Sequence, residues 1–344
     1  MLSSAERLMG MDLEGGWKVV DSVDKSPSST GGNFSRCYIV ENVGGKRAFL
    51  KALDYSRAFR AIDPAIELKL ITEAFIFERD VLIKCKSERL DHVVIAIEDG
   101  TVRFENASDG GVVQYLIFEL ADGDVRKQVH VNERFDIAWS LRSLHNVAVG
   151  LQQLHGHGIA HQDLKPSNVL VFGQKNSKIA DFGRSAYKGH IPPHESLTVA
   201  GDPAYAPPEL LYGYLDSDWN RRRYGCDLYL LGSMAMFFSL GVGTTPLLRK
   251  ELPEPFAWRN WSGTFDDVLP YLNDAFQRVL DIYRASLPAT IQSDMLEIVS
   301  QLCVPDPRLR GHPMNRVSNQ FSLVRYVSRF ELLAKRAELG LIEL

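Results

Sequence analysis

Residues His161–Gly183 read HQDLKPSNVLVFGQKNSKIADFG. Asp163, Lys165 and Asn168 open the stretch, Asp181 closes it, and two short apolar, β-branched runs, VLVF and KIA, lie between. The GQKNS segment separating the runs has turn chemistry, so the pattern predicts a β-hairpin. A hairpin folds the chain back and returns Asp181 to the neighbourhood of Asn168. The spacing therefore has a mechanical purpose. It gathers polar and charged side chains at one end of a two-stranded ribbon.

Working outward, Ile137, Leu141, Leu144, Ala148, Leu151 and Leu154 step by three or four, which predicts a helix with one apolar stripe, and Gly156 is placed to end it. From about Trp17 to Leu120 the chain reads as β-rich. CYIV and RAFLKAL are strands around a turn at Asn42–Gly45, and HVVIAIED and VVQYLIFEL are two more. Between these pairs AIELKLITEAFIFERDVLIKC carries Ile66, Leu70, Ile71, Ala74, Phe77 and Val81 at helical spacing, predicting one long helix. Beyond a polar loop reaching about Pro208 the patterns are mostly helical. The expected fold class is α+β, with a small β-rich part before a larger helical one. The opening stretch falls just past their junction, a place where pockets form.

Composition narrows the function. The 344 residues include 39 Lys and Arg against 43 Asp and Glu, a net charge of −4, so no basic field points to nucleic acid or an anionic membrane. Cys37, Cys85, Cys226 and Cys303 are widely spaced and form no CxxC. That suggests neither a zinc site nor a disulfide framework and suits a reducing compartment. The longest apolar run, DLYLLGSMAMFFSLGVG, is bounded by Asp227 and broken by glycines, which predicts a core helix rather than a membrane span. The N-terminus lacks the apolar core of a signal peptide, and a cytoplasmic location is expected. The final FSLVRYVSRFELLAKRAELG is amphipathic, with an apolar face through Phe321, Val324, Val327, Leu332 and Leu333. Such a face either docks on its own domain or holds a partner.

The His161–Gly183 constellation has the parts that phosphoryl transfer needs: a group orienting the attacking hydroxyl, a cation for the phosphate, and hard oxygen ligands for a metal. Asp163 can accept a hydroxyl proton, Lys165 can reach phosphoryl oxygens, and Asn168 and Asp181 offer oxygens of the kind Mg²⁺ takes.

With HxDLKPSN, ADFG and the later GDPAYAPPEL on the page, the chain resembles the eukaryotic-type protein kinase family, whose signature set these are. The resemblance covers residues 15–312, with a β-rich N-lobe over 15–120, a helical C-lobe over 121–312 and a C-terminal helical extension over 313–344. It implies a bilobal fold with an ATP cleft, use of ATP and Mg²⁺ (Mn²⁺ as a substitute), and protein substrates. The lysine of DLKPSN favours the serine/threonine class. Carried across by position, Lys51 in RAFLKAL would hold the ATP α- and β-phosphates. Its helix partner would be Glu78 or Glu73; these lie about 140° apart around a helix, so only one can face the lysine. Phe118 would close the back of the adenine pocket, the backbone of Glu119 and Ala121, flanking Leu120, would bind adenine, and Asp124 would meet the ribose or solvent. His161 would be scaffold, packing near Phe182. Asp227 and Gly232 match a buried helix pair in which the aspartate ties down the catalytic-loop backbone. Arg310 would pair with Glu209.

Three departures stand out. Where the family has GxGxxG the sequence is TGGNFS, with Thr30, Gly32 and Ser35 at the glycine positions and Gly31 as an extra, so the phosphate cradle expected is the backbone of Gly31, Gly32 and Asn33. Gln162 replaces an arginine that in many kinases receives an activation-loop phosphate. Asp202 stands where serine/threonine kinases carry a threonine; it either pairs with Lys165 or points to solvent. These departures keep two other readings in view, a catalytically silent scaffold and a small-molecule kinase.

Overall fold

In the Arg47–Leu53 strand, Ala48, Leu50 and Ala52 are fully buried while Phe49 and Lys51 point the other way, so the period-two alternation sends the lysine to the face opposite the main apolar core. The computed structural model describes residues 2–23, 35–107, 109–131, 136–173 and 175–342. It divides into two compact units, Met1–Asp122 and Gly123–Leu344.

The first unit is built on strands β1 (Asp12–Leu13), β2 (Trp17–Val23), β3 (Ser35–Asn42), β4 (Arg47–Leu53), β5 (Ala96–Arg103) and β6 (Val112–Glu119). They form an antiparallel sheet in the order β1-β2-β3-β4-β6-β5. Leu8, Trp17, Val19, Tyr38, Val40, Leu50, Tyr115 and Ile117 make its core. Folded structure reaches back past the expected start near residue 15: a 3₁₀ turn at Ser4–Arg7 carries Ala5 into that core. Strand β5 begins later than HVVIAIED implied and runs on past Asp99 to Arg103, through Gly100, which pairs with Tyr115 and where a Cβ would lie 2.2 Å from the tyrosine oxygen. A glycine that reads as a strand end is here the one residue the crowded position admits.

Helix α1 (Pro64–Ser87) starts on Asp63, whose carboxylate accepts the N–H of Ala65 and Ile66 at 3.1 Å, with Pro64 in the first turn. Its buried stripe is Ile71, Phe75, Glu78, Val81, Leu82 and Cys85. The expected face through Ile66 and Leu70 is rotated away, and both are exposed. The buried line instead takes in Glu78, a charged residue that an apolar pattern does not mark.

The second unit contains helices α2 (Val125–Val131), α3 (Ile137–Gly156), α4 (Pro208–Leu211), α5 (Trp219–Leu240), α6 (Thr244–Glu251), α7 (Phe265–Ala285), α8 (Ala289–Leu302) and α9 (Val324–Glu338). Its short strands are β7 (Gly123–Asp124), β8 (Ile159–Ala160), β9 (Val169–Phe172), β10 (Asn176–Ile179) and β11 (Ala186–Tyr187). Strands β9 and β10 form the expected hairpin, with Val169 opposite Ile179, and β11 pairs back onto β8. Gly156 closes α3, although the left-handed residue of that turn is Gly158 at φ +77°.

Apolar α5 is a core helix, buried almost without interruption from Arg223 to Phe238, and among the described residues no single helix is long and apolar enough to cross a membrane. Gly232 lets α8 approach it closely, since a Cβ there would sit 2.4 Å from Cys303 Sγ. Helix α9 lies on α3, held by Arg142 to Glu338 (2.8 Å for both bonds) and by His145 Nδ1 to Val327 O at 3.2 Å. The face it buries runs through Tyr326, Phe330, Leu333 and Ala334; Val324 and Leu332, expected on that face, are exposed.

Arg310, fully buried, binds Glu209 through two bonds of 2.6 and 2.8 Å and also donates to Gly225 O of α5 at 3.1 Å. Glu209→Gln would leave that guanidinium in the interior without its counter-charge. A loss of about 3–5 kcal/mol is expected, read as a lower urea midpoint; an unchanged midpoint would mean the pair contributes nothing.

Candidate active site

Chain entering from β8 reaches His161 and Gln162, and Gln162 takes φ +63°, a left-handed conformation uncommon for its residue type. The conformation is held from below. Asp227 of α5, with no exposure, accepts the backbone N–H of His161 (2.8 Å) and Gln162 (2.7 Å) and lies 2.9 Å from His155 Nε2. The His161 ring stays in the scaffold: Nε2 is 3.0 Å from Ala180 O, Nδ1 accepts from Asp163 N at 3.3 Å, and Phe182 meets it edge-on with centroids 5.2 Å apart.

Asp163 follows, nearly buried and surrounded by donors. Lys165 Nζ is 3.0 Å from Oδ2, Asn168 Nδ2 donates to Oδ2 at 3.1 Å and to the Asp163 carbonyl at 2.8 Å, and Asp202 N donates to Oδ1 at 2.8 Å. Burial raises the Asp163 pKa above the usual aspartate value, Lys165 opposes that, and the Asp181 carboxylate adds to the rise. Lys165 also lies 3.5 Å from Asp202 Oδ2, so it bridges two carboxylates. Of the two orientations open to Asp202, the structure has the one facing the lysine. The chain can pass this close because residue 201 is glycine: a Cβ would fall 2.5 Å from Gln162 O and 2.7 Å from Asp163 Oδ1.

The hairpin brings its far end back to this cluster. Ala180 N donates to Asn168 O at 2.8 Å, and Asp181 is next in the chain at φ +66°. With its NH₂ given to Asp163, Asn168 keeps Oδ1 as an acceptor, contacted at 3.4 Å by Ser167 Oγ. That amide oxygen and the Asp181 carboxylate form a donor set suited to a hard divalent cation. Among the described residues no group of three or more His, Cys, Asp or Glu could hold a metal ion, so a cation here would need further oxygens, such as those of a bound phosphate.

In the other unit Lys51 Nζ pairs with Glu78 Oε1 at 2.8 Å and Oε2 at 2.9 Å, whereas Glu73 sits 3.8 Å from Lys69 on the same helix. Glu78 is thus the helix partner of Lys51. Phe118 packs at a tilt against Phe49, centroids 6.5 Å apart, beside Glu119 and the part-exposed Leu120 and Ala121. Asp124 caps α2, accepting Lys127 N at 2.9 Å, so one of its oxygens is engaged in structure. Gly31, Gly32 and Asn33, with Thr30, lie outside the described residues.

The sequence pattern that defines the protein kinase domain matches residues 32–322. The chain belongs to the protein kinase domain family. The β-rich unit followed by a helical unit is the kinase arrangement of secondary structure. Among relatives, the chain is 28% identical over 197 residues to Aurora/IPL1-related protein kinase 2 of Caenorhabditis briggsae, covering 57% of this chain and 55% of that one. It is 27% identical over 220 residues to the mouse hormonally up-regulated neu tumor-associated kinase, covering 62% of this chain and 27% of that one. It is 36% identical over 120 residues to zebrafish serine/threonine-protein kinase greatwall, covering 35% and 13%. The chain thus spans about half the length of the first relative and much less of the others.

Sequence reasoning missed Arg222, Arg223 and Glu195. Arg223, on α5, donates to Gln162 Oε1 and to Glu195 Oε2, and Arg222 donates to Glu195 Oε1 at 2.7 Å. The NRRRYG run at the head of an apolar helix was the available signal. Beside them His194 is buried, and burial, together with the Arg184 and Arg223 charges, lowers its pKa to about 4. A histidine held neutral while its unfolded form titrates near 6.5 makes folding less favourable as pH falls through that window. The slope is about 1.4 kcal/mol per pH unit between roughly 6.5 and 4. His194→Gln is expected to flatten stability against pH in that range; an unaltered slope would assign the acid sensitivity elsewhere.

Proposed function

We propose that this kinase transfers the γ-phosphoryl group of ATP, with Mg²⁺ (or Mn²⁺), to serine or threonine hydroxyls of protein substrates. The observation that carries the reading is the Asp163 carboxylate, fixed by Lys165, Asn168 and the Asp202 amide, with a pKa raised toward that of a useful base. In this reading Asp163 orients the substrate hydroxyl and accepts its proton, and Lys165 stabilises charge on the transferring phosphoryl. Asn168 and Asp181 hold the metal, and Lys51, oriented by Glu78, holds the ATP phosphates. Mg²⁺, when bound, neutralises phosphate charge. The DLKPSN lysine and the named serine/threonine kinase among the relatives support the hydroxyl class.

Activity is not gated by a phosphate received at position 162. Both ends of the Gln162 side chain are already engaged: Oε1 accepts from Arg223 and Nε2 donates to Arg184 O at 3.1 Å. A neutral amide is in any case a weak phosphate receptor.

In a lysate phosphorylation assay, wild type is expected to label protein and Asp163→Asn to fall by at least about a hundredfold; equal labelling by both would remove Asp163 from the chemistry, and none by either would favour a scaffold. Ser196→Ala with Thr198→Ala should stay within about twofold of wild type, whereas a loss of about a hundredfold would restore phosphate gating. The acid limb of kcat/KM should lie above that of an ordinary aspartate. Lys165 lowers the Asp163 pKa, so Lys165→Met should move the limb to higher pH; movement to lower pH would contradict the assignment.

A further inference from the structure

We infer that Glu195 is a built-in anion that latches the Asp181–Glu209 segment in its working shape, the part a phosphate plays in kinases with an arginine at position 162. The inference rests on the phosphoryl-transfer reading above and adds its regulation.

Arg223 is almost entirely buried, so its charge requires a partner on the page. Burial and the neighbouring Arg222 charge depress its pKa, and Glu195 opposes both. One guanidinium edge meets the Glu195 carboxylate and the other meets Gln162 Oε1, while Arg222 takes the second Glu195 oxygen at 2.7 Å. A single carboxylate thus faces two arginines, which is the charge pattern of an anion receptor. Nε of Arg222 and of Arg223 has no hydrogen-bond partner among the described residues, so the receptor retains unused donors. Thr198 lines the same small cavity as Gln162, Asp202, Arg222 and Arg223. A phosphate on Thr198 would therefore compete for ground that Glu195 already holds.

The latch connects to the reacting carboxylate by short steps. Gln162 Nε2 holds Arg184 O where the segment leaves the hairpin, Glu195 holds its middle, and Asp202 N binds Asp163 Oδ1 at 2.8 Å where it returns. Gln162 belongs to the device because its oxygen accepts from Arg223. The family's arginine at that position would direct a second cation at Arg223 with nothing between them. Glu195 is a positioning residue that acts through the segment and its two arginines.

The test uses the full chain as wild type, Glu195→Gln, Glu195→Asp and Gln162→Arg. Casein phosphorylation gives kcat and KM, hydrogen exchange follows the 195–202 amides, and thermal melts monitor folding. Glu195→Gln should lower kcat by about tenfold or more with the ATP KM within about twofold, and should speed exchange over 195–202 by about tenfold. Glu195→Asp, which keeps the charge, should recover much of the loss in both. Gln162→Arg should impair activity and loosen the segment rather than confer phosphate control. Phosphatase treatment of wild type should leave activity intact. Unchanged kcat and exchange in Glu195→Gln, or loss of activity on dephosphorylation of Ser196 or Thr198, would overturn the latch. A wild type inactive on every protein substrate would instead overturn the phosphoryl-transfer reading, and the exchange data alone would then decide the latch.

Discussion

The Asp227 carboxylate is the point on which the candidate site depends. It is fully buried, and it binds two successive backbone N–H groups, at His161 and Gln162, on the approach to Asp163. A left-handed glutamine costs about 1–3 kcal/mol where nothing compensates it. Charge-assisted bonds to an acceptor withdrawn from water offset that cost. They fix the backbone from which the Asp163 side chain leaves. Gly201 completes the constraint from above, because any side chain there would collide with Gln162 O or the Asp163 carboxylate. The loop is therefore fixed between a helix and a returning segment.

Charge alternation explains how so many ionisable groups coexist there. Asp163, Lys165 and Asp202 lie in the sequence minus, plus, minus, with the lysine 3.0 and 3.5 Å from the two carboxylates. Asp202 also donates its backbone N–H to Asp163, so the two acids are joined through an amide and a cation rather than opposed directly. Placing an acid where the family resemblance leads one to expect threonine thus changes the way Lys165 is held and leaves Asp163 accessible to its donors. The residual effect is the raised Asp163 pKa, for which burial is the leading cause.

Much of this was legible in the sequence because it is local. The hairpin that returns Asp181 to Asn168 follows from two apolar runs and a turn, and strand β4 follows from the alternation around Lys51. The choice between Glu78 and Glu73 required the helix to be packed, since both sit on the same helix and only the sheet decides which one turns inward. Strand β5 runs on past the expected end because its glycine lies against the Tyr115 hydroxyl, a contact between strands that no single run of residues encodes. Arg223 and Glu195 were invisible for the same reason. Each is an ordinary charged residue in its own segment, and their meaning arises where α5 meets the returning chain.

Two carboxylates, Glu209 and Glu195, anchor that returning chain on arginines, and the pairs they make with Arg310 and Arg223 differ in their access to water. Glu209 and Arg310 have side-chain exposures of 6% and 0%, so opening them would strand a charge in the interior. Glu195 is 41% exposed, while its partner Arg223 is only 4% exposed. Water can therefore solvate a freed Glu195 carboxylate but hardly reaches the Arg223 guanidinium, so the cost of opening this pair falls mainly on the arginine. The end of the segment at Glu209 is fixed by two buried partners, while the middle at Glu195 is fixed by a part-exposed carboxylate on a buried arginine.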